Sequence, residues 1–90
     1  MPYIPQLDRI AVKPRLDYLL LYLNEHGYKP GLINYILTNI LLYWWKSSPQ
    51  NYETLNAIHG CLDCVGREFD RRVTGPYERA KAEENGDVFA

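Results

Sequence analysis

Apolar positions along this chain fall into three helical patterns separated by proline and glycine. Leu16, Leu19, Leu20 and Leu23 recur at i, i+3, i+4 and i+7, the spacing of an amphipathic helix. Pro14 suits the first turn of that helix, where its missing N–H costs nothing, and Gly27 suits the residue just past its end. The pattern therefore predicts a first helix over 14–26. Residues 1–13 hold Pro2 and Pro5 and show no period, so an extended arm is expected there.

Pro30-Gly31 reads as a turn, and a second helix is predicted over 32–46. Ile33, Ile36, Leu37, Ile40, Leu41 and Trp44 keep helical spacing, while Leu32, Tyr35, Leu42, Tyr43 and Trp45 fill the remaining faces. A helix apolar nearly all round wants burial on several sides. A third helix is predicted over 49–74, capped by Ser47 or Ser48 with Pro49 in its first turn. Leu55, Ile58, Leu62, Val65 and Phe69 step along it by threes and fours, as in a coiled-coil seam. Ala57, Gly60, Cys61 and Cys64 form a stripe of small residues where a neighbouring helix is expected to cross. Gly75-Pro76 should break or kink this helix. A short helix over 76–84 and a tail over 85–90 complete the chain.

The expected fold is all-α, in a single domain spanning 1–90. A helical hairpin and one long helix make it three-helix bundle-like, with an extended N-terminal arm and a short C-terminal helix. At about 1.5 Å per residue the third helix spans roughly 35–40 Å and the first only about 20 Å. Short helices leave the long one partly uncovered, which predicts a homo-oligomer, most simply a twofold dimer.

Composition changes this picture in one respect. Eight Tyr and two Trp stand against two Phe, so the aromatic residues are mainly those with a polar tip, expected at the rim of a small core. Ten basic and eleven acidic residues leave a net charge of −1, which argues against general nucleic-acid binding. Two cysteines do not make a disulfide framework, and the N-terminus lacks the regions of a signal peptide. The most apolar run, residues 32–45, is shorter than a membrane span and is interrupted by Asn34, Thr38 and Asn39. A cytoplasmic protein of a bacterial cell, with no membrane partner, is expected.

Candidate chemistry is sparse. Cys61 and Cys64 form a CxxC pair that could serve zinc or redox chemistry, yet on a heptad helix two such residues suit packing. Arg67, Arg71 and Arg72 are the strongest candidate ligand-binding group. They either pair with Asp63 and Glu68 along a solvated face or make a fork for phosphate or carboxylate. Asn34, Thr38 and Asn56 are polar positions on apolar helices, expected to bond to one another across the second and third helices or to face a ligand. Tyr77 is a further candidate ligand contact beside the arginines. No triad, phosphate loop or metal-binding motif is present, so neither catalysis nor a cofactor is expected.

Several segments together carry a resemblance: the opening Met-Pro-Tyr-Ile, residues 32–38 (LINYILT), 56–64 (NAIHGCLDC), 68–73 (EFDRRV), 76–78 (PYE) and 84–89 (ENGDVF). The chain resembles a family of short proteins of bacteria and their phages, a domain of unknown function. That resemblance implies a small accessory protein of a phage or mobile element. In that setting the expected function is sequestration of an anionic, nucleotide-like small molecule at a site between subunits, an anti-defence sponge. The alternative is a protein-interaction module that inhibits or adapts a host protein. A metal-dependent nucleotide hydrolase ranks third.

Overall fold

Pro5 fixes the entry to the first helix, accepting hydrogen bonds at its carbonyl from the N–H groups of Asp8 (3.0 Å) and Arg9 (3.2 Å). The computed structural model describes residues 2–89, and every regular element among them is helical. Met1 of the expected arm and Ala90 of the expected tail lie outside the described residues. Proximity of Cα atoms divides the chain between Ile58 and His59 into two units, taken separately below.

In Pro2–Ile58, α1 spans Gln6–His26, α2 spans Pro30–Lys46 and the first turns of α3 (Tyr52–Phe69) follow. The arm expected over 1–13 is thus confined to residues 2–5, and the first helix starts eight residues before the predicted 14. Asp8 lies in the first turn of α1, where a carboxylate favours the helix dipole. Pro14 sits inside α1 rather than at its start. It deprives the helix of one hydrogen bond there, which exposure to water makes tolerable. Gly27 ends α1 as expected, at φ 95° and ψ 154°, with its N–H bonded to the Leu23 carbonyl at 2.7 Å. Only glycine occupies that backbone region without strain.

Pro30 opens α2 instead of preceding it, so this helix gains the two residues that had read as a turn. The cap of α3 also differs from expectation. Asn51, not Ser47 or Ser48, accepts the Thr54 N–H at its Oδ1 (3.0 Å), and the helix begins at Tyr52 rather than 49. An Asn51→Ala chain should be about 1 kcal/mol less stable, read as a lower midpoint in urea.

Three of the described residues are buried: Leu23 (5% exposed), Ile58 (8%) and Thr54 (9%), all in this unit. Leu32, Ile33, Ile36, Leu41, Trp44 and Trp45 of α2 are only half-buried. The expected hairpin does not close, because no Cα of α1 lies within 8 Å of one in α2. All eight tyrosines are exposed, so they do not rim a core within the chain as their composition had suggested.

In residues 59–89, the rest of α3 passes into a π-helical turn, Asp70–Thr74, and then into α4, Gly75–Asn85. Of the break or kink expected at Gly75-Pro76, no break occurs, and the irregularity is this widened turn. Gly75 is helical (φ −60°, ψ −53°), and its N–H reaches back five residues to the Asp70 carbonyl. The widened turn gives the Pro76 ring room that a plain α-helix would deny it against the carbonyl four residues earlier. A Cβ on Gly75 would stand 3.2 Å from the Asp70 oxygen, so the turn is tight. The last helix ends at Asn85-Gly86 as expected. No described residue of this unit is buried. Among the described residues nothing lies within 4 Å of a Cβ built on Gly60.

Among the described residues no helix is long and apolar enough to cross a membrane.

Candidate functional site

The predicted ligand residues divide between the two units. Arg67, Arg71, Arg72 and Tyr77 lie in the segment after His59, while Asn34, Thr38 and Asn56 lie before it.

Helical spacing determines how the arginines are held. Arg67 pairs with Asp63 one turn earlier, Nη2 to Oδ2 at 3.0 Å. Arg71 Nη2 and Arg72 Nε both donate to Oε1 of Glu68, at 2.7 and 3.0 Å. The Asp63–Arg67 and Glu68–Arg72 pairs are those the i, i+4 spacing predicts. The Arg71–Glu68 pair at i, i+3 turns them into a two-guanidinium clamp on one carboxylate. All three arginine side chains are well exposed, and pairs in that setting are worth about 0–1 kcal/mol each. The face is therefore solvated and largely self-neutralised, and an anion would compete with Glu68 for the two guanidinia. Tyr77 is exposed as well, in the first turn of α4, its ring 5.7 Å from Lys81 Nζ.

Thr38 donates from Oγ1 to Asn34 Oδ1 at 3.2 Å, within α2 and in the open. Asn56 on α3 is exposed and bonded to neither. The expected bonding across helices is thus replaced by one bond along a single helix. These groups sit on wet faces, so water meets the needs that burial would have forced on a neighbour.

Cys61 is exposed and Cys64 half-buried, both as free thiols. Among the described residues no three His, Cys, Asp or Glu side chains converge to hold a metal ion. One shallow cleft runs along α4 beneath the tail, between Gly75, Arg79, Ala82, Asn85 and Phe89, and it includes none of the predicted residues.

Apolar surface is the feature the candidate residues did not capture. On α1, Leu7, Ile10, Leu16, Tyr18 and Leu21 are exposed, and on α2 so are Tyr35, Leu37, Ile40, Leu42 and Tyr43. The all-round apolar pattern of the second helix was its sequence signal. No match was found among curated proteins or among solved structures. The family described as a domain of unknown function, DUF6899, matches residues 1–88, and the chain belongs to it.

Proposed function

We propose that this protein is a helical protein-interaction module whose apolar helix faces are completed by other protein chains. The observation that carries this reading is α2, which has no buried residue although most of its side chains are apolar or aromatic. Contiguous apolar surface of that kind is costly in water and marks protein contact. Self-association supplies the simplest cover, and a host protein docked on the Tyr35–Tyr43 surface is the second use of the same face. In the cytoplasm of a bacterial host, a phage or mobile-element accessory protein would act in this way by occupying a partner's surface.

Sedimentation velocity across micromolar to millimolar concentration tests the reading. The expected result is a species heavier than one chain, or a stoichiometric complex with a host protein that α2 substitutions abolish. A chain that stays single throughout, and whose α2 substitutions alter no complex, would overturn it.

Sequestration of an anionic, nucleotide-like molecule is a second reading, favoured by the convergence of Arg71 and Arg72 on one Glu68 oxygen. Two guanidinia held together are a ready receptor for phosphate. Calorimetry against cyclic and linear nucleotides should then give heat that Arg71→Ala removes. Absence of heat across the panel would rule this second reading out.

A further inference from the structure

Asparagine followed by glycine is a reactive pair, because no Cβ on the second residue hinders its backbone nitrogen from reaching the asparagine side chain. Of the six asparagines in this chain, only Asn85 precedes a glycine; the others precede Glu25, Tyr35, Ile40, Tyr52 and Ala57. Asn85 is the last residue of α4 and is exposed, so water reaches its amide. Gly86 follows at φ 87° and ψ 144°, outside the helix, and its N–H donates to the Ala82 carbonyl at 2.8 Å. The pair thus stands where a helix ends, and terminal turns open at little cost in free energy.

We propose that Asn85 is a site of spontaneous covalent modification, converted to aspartate and isoaspartate at a rate gated by the end of α4. The Gly86 nitrogen gives up its proton and attacks Cγ of Asn85. A bond forms between that nitrogen and Cγ, the Cγ–Nδ2 bond breaks, and Nδ2 leaves as ammonia with the proton. A succinimide ring remains. Water, the one co-reactant, then adds to either ring carbonyl and reopens the ring. Opening at one carbonyl leaves aspartate, and opening at the other leaves isoaspartate, with an extra methylene in the main chain. The bond from Gly86 to Ala82 holds the attacking nitrogen in the helix ladder, so the reaction waits for the last turn to fray.

Either product alters the end of α4. A new carboxylate joins Glu83, Glu84 and Asp87 at a helix C-terminus, where the dipole disfavours negative charge. The extra methylene of isoaspartate moves the Gly86 N–H off the Ala82 carbonyl. The last turn therefore loosens, and with it the wall that Asn85 and Gly86 lend to the cleft beneath the tail. This change stands apart from the proposed interaction function and needs no other chain.

The test incubates the full chain in heavy-oxygen water at mildly alkaline pH, folded and in urea, and maps the products by mass spectrometry of its peptides. The expected result is one solvent oxygen taken up at Asn85 and none at the other asparagines over the same period. The folded chain should react roughly fivefold or more slowly than the chain in urea. Asn85→Gln, whose longer side chain must close a larger ring, should stop the uptake at that position. Asn85→Asp stands for one product, and hydrogen exchange at its Gly86 amide should be faster than in the unaltered chain. A folded chain left intact while the urea sample converts, or conversion first at another asparagine, would overturn the site. Equal rates in the two states would remove the gate, and unchanged exchange at Gly86 in Asn85→Asp would remove the effect on α4.

Discussion

An Ile58→Ala chain is expected to lose about 2–4 kcal/mol of stability, the range for removing a buried branched side chain without collapse of the surroundings. For 90 residues the total is on the order of 5–13 kcal/mol, so one substitution would remove a large share of it. The effect is large because burial is so concentrated, with Leu23 and Ile58 the only buried apolar residues among those described. Urea unfolding at fixed protein concentration measures it, since association adds stability in proportion to the concentration used. A loss below about 1 kcal/mol would mean that surfaces covered by other chains hold the fold, and that Ile58 does not dominate.

Placing aspartates at Leu37 and Ile40 of α2 should weaken association at least about a hundredfold, equivalent to about 3 kcal/mol. Both side chains are about half exposed in the single chain, at 48% and 55%, so the change costs that chain little. In a covered interface the same carboxylates would be stripped of water without a partner, and the penalty appears there. Sedimentation equilibrium should show the population moving toward single chains while circular dichroism stays helical. Unchanged association would place the contact on other faces of the molecule.

Much of the helical architecture was legible along the chain because its signals are local. Gly27 and Gly86 end helices where they were expected to, since a left-handed residue is a demand that glycine alone meets cheaply. The i, i+4 pairs of Asp63 with Arg67 and Glu68 with Arg72 follow from helix geometry as soon as the helix is known. The prolines are less direct signals. Pro14 reads as a helix start yet lies inside α1. Gly75-Pro76 reads as a break or kink, and Pro76 as the opening of a short last helix. Pro76 does stand in the first turn of α4, with the chain staying helical through the π turn before it. Whether a helix stops at proline depends on what can absorb the lost hydrogen bond and the ring's bulk. At Pro14 that is solvent, and at Pro76 it is a turn widened by one residue.

The candidate ligand residues were less legible. Asn34, Thr38 and Asn56 drew attention as polar groups on apolar helices, on the premise that such helices are buried. Their exposure removes that premise, and one bond along α2 takes the place of bonding between helices. Arg67, Arg71 and Arg72 are legible as a group from their spacing alone. Its sharing of one Glu68 oxygen depended on rotamers that spacing does not specify.

Helical class, the apolar nature of α2 and the paired charges of α3 were settled by period and spacing, because each depends on residues within one or two turns. Where burial occurs was not, because it depends on what approaches from a distance. Nothing in the pattern showed that eight tyrosines would stand in solvent or that the two helices of the hairpin would stay apart. The π turn lies between these cases. The Gly75-Pro76 pair is written in the sequence, but only the folded backbone shows the widened turn that lets the helix run through it.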